Sequence, residues 1–543
     1  MSGREPPAPS RRTHARGETR KPGERRALPL RSAFLASLLL WGCAGRPEPA
    51  AVAPPSSAAC ATIVATNDEH GRLLPESPSW ARNRPVGGVA ALGAYYARLR
   101  ADAAGCPVFL VSAGDVMQGT LSSNLSGGES MIAALNLLGY DAAAIGNHEF
   151  DWGIETLRRR MEEASFPFLS ANIYVAGTDR HPSWARPYAI LERGGVRIGV
   201  VGATTRQTPV ATHPANVAGL EFRSIAEALD RYIPRARAEG VDFVIVLLHA
   251  GGFCDDAGQC EGEALRALAR GSEPYDYAVT GHTHSRIETR VRGAPVVQSF
   301  SNTTAFSLGR LERRAGGEVD GRLLEVRTAW ADEVEPDPAL EELAARAEAA
   351  VREKAREPVA TLAEPLPKSG PEYGLGRLIA DAQREATGAQ VAIMNNGGIR
   401  TGLPAGVVTF GDLFKLQPFQ NALLDLRLRG SVLLSALDHA AGEESPGAHL
   451  SGVRVVYDPA APAGSRVLSA TLTSGERVVE DGVYTVTVND FMAAGGSGFS
   501  MLREAETAEP TGIVDLDALV DHLRALPQPV HAPPDARWIQ TKG

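Results

Sequence analysis

The chain has 543 residues, enough for two or three domains with separate cores. Its 44% hydrophobic and 22% charged residues are those of an ordinary globular protein, and the formal charge of −9 gives no footing for a nucleic-acid polymer as partner. That charge is unevenly spread.

Residues 1–31 carry basic side chains at Arg4, Arg11, Arg12, Arg16, Arg20, Lys21, Arg25, Arg26 and Arg31, against the acids Glu5, Glu18 and Glu24. This arm leads into residues 33–40, an apolar run too short to cross a bilayer as a stable helix. The pair predicts a signal peptide over residues 1–42. Leu40, Trp41, Gly42 and Cys43 resemble a bacterial lipobox, in which the cysteine is lipidated, although Trp41 is bulkier than that motif usually holds. Residues 43–60, rich in Ala, Pro and Ser, then read as a flexible tether. Apart from Cys43, the chain has Cys60, Cys106, Cys254 and Cys260. An oxidising compartment permits bridges within each of these two pairs, isolated thiols being the other reading of Cys60 and Cys106.

From residue 61 onward short apolar runs alternate with helical stretches and end in polar clusters. Residues 61–66 lead to Asp68, His70 and Gly71, and residues 108–112 to Gly114 and Asp115. A short strand after Tyr140 delivers Gly146, Asn147, His148, Glu149, Phe150 and Asp151. Residues 197–201 end in Gly202 to Thr205, residues 242–248 in His249, and residues 277–280 in Gly281, His282, Thr283 and His284. Runs of this length bounded by Gly predict buried strands of an α/β fold, with the polar clusters converging on one edge of the sheet, where open α/β sheets bind ligands. Asp337 and Pro338 then open a helix with Leu340, Leu343, Ala347 and Val351 at helical spacing. The expected organisation is a first domain over 61–335, a linker helix over 336–358 and a second α/β domain over 359–543. The second domain has a helix over 375–386 and strands over 391–394, 453–457 and 484–488.

Asp68, His70, Asp115, Asn147, His249, His282 and His284 offer oxygen and imidazole ligands without thiolate, which suits Zn, Mn, Co or Fe. Seven ligands exceed the need of one ion and fit two, with Asp115 as the bridging carboxylate. Two such ions suit phosphoester hydrolysis by direct attack of activated water. His148 is the candidate proton donor and Asp151 its orienting partner. Each motif alone also reads as a loop histidine or a capped turn; five of them at strand ends in one domain argue for a site.

These motifs, in this order, resemble those of the calcineurin-like metallophosphoesterases, and the second half resembles the C-terminal domain of the 5'-nucleotidase family, which includes periplasmic UDP-sugar hydrolases. The resemblance implies a four-layer α/β/β/α domain. It further implies one metal on Asp68, His70, Asp115 and His284, the other on Asp115, Asn147, His249 and His282, and a transition-state dyad of His148 and Asp151. In the second domain it implies substrate contacts from Asn395, Gly398, Arg400, Asn421 and Ser497, with Phe419 and Phe491 stacking on a nucleobase. Two departures bear on substrate. Gly495, Gly496, Ser497 and Gly498 stand where the family usually has Gly-Gly-Asp-Gly. One or more family arginines are absent near Lys368 to Pro371, where Lys368 or Arg377 are the available replacements.

The expectation is an exported, lipid-anchored hydrolase of nucleoside monophosphates that touches the membrane only through its anchor. Alternatives are a UDP-sugar or dinucleotide pyrophosphatase, a 2',3'-cyclic-nucleotide phosphodiesterase, a thiosulfohydrolase, and a nucleotide-binding lipoprotein without turnover.

Overall fold

A computed structural model describes residues 59–541, apart from residues 104, 256, 315, 443 and 444. The signal peptide, Cys43 and nearly all of the tether lie outside the described residues.

Two six-stranded mixed sheets build the first domain. One runs Val319–Thr328, Ala305–Arg313, Cys60–Thr66, Val108–Ser112, Ala142–Ala144, Phe168–Leu169. The other runs Arg286–Val291, Ala294–Ser299, Tyr277–Thr280, Phe243–His249, Val196–Thr204, Tyr188–Arg193. The four central strands of the second sheet and the last four of the first are mutually parallel, and antiparallel strands close three of the four edges, Phe168–Leu169 being a parallel edge. Side chains alternate between faces along a strand. Phe243, Ile245 and Leu247 therefore join Ile63, Phe109 and Val111 between the sheets, while Val244, Val246 and Leu248 meet the helices Ile225–Ala238 and Glu263–Arg270 on the outer face. Val64, Val108 and Leu110 face the helices Val89–Ala101 and Glu129–Leu138 on the opposite outside. The result is the expected four-layer α/β/β/α stack, and because both faces of its central strands are buried they read in sequence as unbroken apolar runs.

Two details differ from the sequence reading. The strand expected to end at Val201, before Gly202, continues to Thr204. Gly202 is a close-approach position inside it, since an added Cβ would overlap the backbone carbonyl and Cβ of Leu169 across the sheet interface. The polar clusters also gather at the facing ends of two packed sheets, not on one edge of a single sheet.

The helix Pro338–Arg356 begins as expected, with the Asp337 carboxylate accepting from the amides of Ala339 (3.0 Å) and Leu340 (3.1 Å). Beyond it lies the second α/β domain. Its five-stranded sheet runs Ala448–Ser451, Val391–Asn395, Val483–Asn489, Ala422–Arg429, Thr507–Val514, and the helices Gly374–Thr387, Gly430–Ala440 and Asp515–Ala525 pack on it. Both cysteine pairs are bridged, Cys60 to Cys106 and Cys254 to Cys260, the second closing the hairpin of Gly252–Cys254 with Cys260–Gly262.

Candidate metal and phosphoester site

Strand ends supply the donor groups. Asp68 and His70 follow Cys60–Thr66, Asp115 follows Val108–Ser112 and Asn147 follows Ala142–Ala144. From the other sheet, His249 ends Phe243–His249, and His282 and His284 follow Tyr277–Thr280. The ligand atoms of Asp68, His70 and His284 lie within 4.8 Å of one another, as do those of Asp115, His249 and His282. Asn147 Oδ1 is 3.2 Å from His249 Nε2 and so joins the second group. All seven predicted donors thus lie in two neighbouring groups, with Asp115 in the second.

Their polarity tests whether cations fit. His70 Nδ1 lies 2.8 Å from the carbonyl of Gln118, and His249 Nδ1 lies 2.8 Å from the carbonyl of Ala113. A carbonyl cannot donate, so both Nδ1 atoms carry a proton, and each Nε2 is the atom left to ligate. There His70 Nε2 faces His284 Nε2 at 2.9 Å, and His249 Nε2 faces Asp115 Oδ2 at 3.0 Å. Converging lone pairs repel unless a proton or a metal ion sits between them. Burial holds His70 well below the usual histidine range and His282 at about 4, so both are neutral and ready to ligate. Burial also disfavours charge on His249, but the adjacent Asp115 carboxylate overcomes it and raises the group to about 10. A divalent ion arriving there displaces that proton. The donor set fits two cations.

The backbone is strained to aim these groups. Asp68, His70, Asp115, His282 and His284 all have positive φ, between 48° and 76°. Each such non-glycine residue costs on the order of 1–3 kcal/mol, a strain tolerated where geometry serves function. Gly146 is obligatory beside them, because a Cβ there would overlap Asp115 Oδ1.

The dyad is formed. His148 Nδ1 lies 2.7 Å from Asp151 Oδ2, and the His148 amide donates to Asp115 Oδ1 at 2.8 Å, tying the dyad to the proposed bridging carboxylate. Thr212 Oγ1 donates to Asp151 Oδ1 (2.7 Å) and Asn216 Nδ2 to the Asp151 carbonyl (2.9 Å). Burial opposes charge on His148, but Asp151 and then Asp115 hold its pKa above the ordinary histidine value.

A cavity of about 550 Å³ opens on this centre. Asp115, Asn147, His148, Asp151, His282 and His284 line one end, and the second domain contributes Asn395, Gly398, Arg400, Phe419, Asn421, Phe491 and Ser497. All seven substrate residues expected from the sequence thus face the same space, while Asp68, His70 and His249 lie buried behind it. The Phe419 ring stacks on His148, with centroids 5.6 Å apart and planes 20° from parallel, and the Arg400 guanidinium lies 5.7 Å from the same ring. Neither suggested replacement for the missing arginines lines the cavity: Arg377 donates to the Pro533 carbonyl (3.0 and 2.8 Å), and Lys368 is outside the lining.

Sequence reasoning missed three contributors. Glu149, inside the central motif, is not a ligand: its carboxylate accepts the amides of Asp115 (2.8 Å), Val116 (2.8 Å) and Gly146 (2.6 Å), clamping two donor loops together. Asn67 donates to Asp68 Oδ2 (2.6 Å) and accepts from the Ser299 amide (2.7 Å), joining the two sheets. Residues 207 and 210–213 form one cavity wall. The available signal was a carboxylate or amide abutting a proposed ligand; residues 207–213 gave none.

Comparisons agree with this architecture. Residues 358–504 match the family model described as the 5'-nucleotidase C-terminal domain, and residues 108–285 match one described as a bacterial capsule synthesis protein. The 5'-nucleotidase of Vibrio cholerae is 29% identical over 86% of this chain and 90% of its own length. Protein UshA of Yersinia enterocolitica is 28% identical over 89% and 93%. The crystal structure of a 5'-nucleotidase precursor from Thermus thermophilus superposes with a TM-score of 0.78 at 29% identity, covering 89% of this chain and 100% of that one. Fold and donor clusters together define a two-domain, metal-dependent hydrolase. Over both domains the chain is similar to the 5'-nucleotidase family.

Replacing Glu149 by Ala should leave three buried amides without an acceptor, at a cost of about 3 kcal/mol or more. It should also weaken metal affinity about 10- to 100-fold, as loss of ligand support does. Thermal denaturation and metal analysis of the dialysed protein read both; normal metal retention would remove the clamp from the site's architecture.

Proposed function

We propose that the protein is an exported, lipid-anchored 5'-nucleotidase, with metals on the seven donors, that releases phosphate from nucleoside monophosphates. One observation carries the substrate assignment: four of the seven donors (Asp115, Asn147, His282 and His284), the His148–Asp151 dyad and the rings of Phe419 and Phe491 line one cavity. When bound, a pair of divalent ions supplies Lewis acidity to the phosphoryl group and makes water nucleophilic near neutral pH.

The chain's own residues do the rest. With Nδ1 committed to Asp151, the His148 ring has Nε2 left for the cavity, where a protonated imidazole donates to the oxygen that gains charge as the ester bond breaks. Stacking on Phe419 limits the ring's rotation and keeps water from one of its faces. Arg400 offers its planar fork to phosphate oxygens. At the far end Phe491, Asn395, Asn421 and Ser497 offer one ring face and neutral hydrogen-bonding groups, which suit a nucleoside.

Export draws support from the basic arm and apolar run of residues 1–42 and from the two disulfides. Among the described residues no helix is long and apolar enough to cross a membrane. The anchor is tested by fractionating cells that express the full chain: the native protein should sediment with membranes and the Cys43→Ala variant should not, whereas equal partitioning would remove lipidation from the proposal.

Turnover of a panel of nucleoside monophosphates, UDP-glucose, dinucleoside pyrophosphate, 2',3'-cyclic AMP and a thiosulfonate tests the substrate. Nucleoside monophosphates should give the highest kcat/KM, with activity lost on chelation and restored by Mn, Co or Zn; a preference for any other class overturns the reading. His148→Ala should lower kcat by about 10²- to 10⁴-fold with metal content unchanged. Because the Asp151 carboxylate raises the His148 pKa, its protonated form persists to higher pH than in free histidine. Asp151→Asn should therefore move the alkaline limb of kcat to lower pH. A limb that stays in place would take His148 out of the acid role.

A further inference from the structure

A second, smaller cavity adjoins the reaction site. It measures about 290 Å³ and is lined by Arg206, Arg266 and Arg270 together with Gln207, Glu263 and the segment Ser224 to Ala226. Gln207 lines both cavities, so the two share a wall. The three guanidinium groups are exposed, and none has an acidic partner among the described residues. Arg266 and Arg270 stand four residues apart on one face of the helix Glu263–Arg270, with Arg270 in the last turn, where the helix dipole favours a cation.

Glu263 is the one carboxylate in the lining, and it is already engaged. It accepts from Thr205 Oγ1 and from the Arg206 amide (3.0 Å), an arrangement that fixes the loop carrying Arg206. Across the cavity the 14-residue helix Ile225–Ala238 begins, capped by Ser224 Oγ on the Glu227 amide (3.4 Å). The amides of Ile225 and Ala226, in the cavity lining, are among those at a helix start that have no intrahelical acceptor. Three cations and the start of a helix thus border one small concavity, a composition that suits an oxyanion. Its volume lies at about the lower limit for small-molecule pockets, too confined for a nucleoside in addition.

We propose that Arg206, Arg266 and Arg270 form a second phosphoryl-oxyanion site beside the reaction cavity. Its ligand is free inorganic phosphate or the distal phosphoryl group of a substrate longer than a monophosphate. The second source rests on the nucleotidase reading; the first does not.

Equilibrium dialysis of metal-loaded, full-length protein against inorganic phosphate at about 0.15 M salt, where long-range steering is screened, tests the site. The native protein should bind one more phosphate per chain than the Arg206→Ala/Arg266→Ala/Arg270→Ala variant, with kcat and KM for AMP unchanged. The triple lysine variant should recover part of the loss. Equal phosphate binding by native and alanine proteins, with a KM for ADP raised about tenfold and that for AMP unmoved, assigns the site to a distal phosphoryl group. Equal phosphate binding with both KM values unmoved overturns it. Failure of the native protein to hydrolyse AMP would sink the nucleotidase reading and leave the dialysis result standing.

Discussion

The first domain is arranged around groups whose lone pairs repel one another unless a proton or a cation lies between them. His70, His249, His282 and His284 bring ring nitrogens, and Asp68 and Asp115 bring carboxylates, into a buried volume where ring nitrogen faces ring nitrogen at 2.9 Å and imidazole faces carboxylate at 3.0 Å. A fold selected for stability alone would disperse them. They stay because each is held from behind: His70 by the Gln118 carbonyl, His249 by the Ala113 carbonyl, Asp68 by Asn67 and the His282 amide, Asp115 by the His148 amide. The repulsion is offset by the two packed sheets, whose core between Phe243, Ile245, Leu247, Phe109 and Val111 leaves the strand ends no freedom to spread.

The same network reaches beyond the donors. Glu149 binds the Asp115 loop to the Gly146 loop, so the donors and the dyad move as one unit. Glu69 lies behind them, buried, accepting from Thr66 Oγ1 and from Ser112 Oγ (2.9 Å), and burial raises it to about 8. From the other side the second domain touches the dyad directly, through Phe419 on His148, and it is tethered nearby by Asn124 Nδ2 donating to the Pro418 carbonyl (3.0 Å). Ser122 Oγ donates to Glu348 on the long connecting helix (2.7 Å). Chemistry at His148 is therefore sensitive to how the second domain is held.

Much of this was legible in sequence because buried parallel strands leave a strong trace. Val108–Ser112, Phe243–His249 and Tyr277–Thr280 are apolar on both faces, and the polar residues that end them stand out against that background. The edge strands Tyr188–Arg193 and Arg286–Val291, half exposed and charged, leave a weaker trace and were not singled out. Gly202 misled because a glycine needed for close approach and one that ends a strand look alike in a string of letters. Glu149 and Asn67 were hidden for a different reason. Their partners are backbone amides and side chains brought in from another loop or from the second sheet, and no local spacing encodes such a bond.

The presence of Ser497 where the family usually has an acidic residue also acquires a physical sense. Ser497 sits at φ 51°, its hydroxyl accepting from Asn395 Nδ2 (3.2 Å) and its carbonyl meeting His439 Nε2 (2.9 Å). Asn395 Oδ1 in turn accepts from Asn489 Nδ2 (3.0 Å), and Asn421 Nδ2 donates to Asp515, whose carboxyl burial pushes to about 7. This end of the cavity is lined by amides, a hydroxyl and an aromatic face, while the lining also includes Asp115, Asn147, His282, His284, the dyad and Arg400. On the proposed function, a substrate entering such a field is oriented by its phosphoryl group alone. Neutral hydrogen bonds at the nucleoside end contribute about 0.5–1.5 kcal/mol each, where a charged acceptor would contribute more, so discrimination among nucleosides rests on stacking and shape.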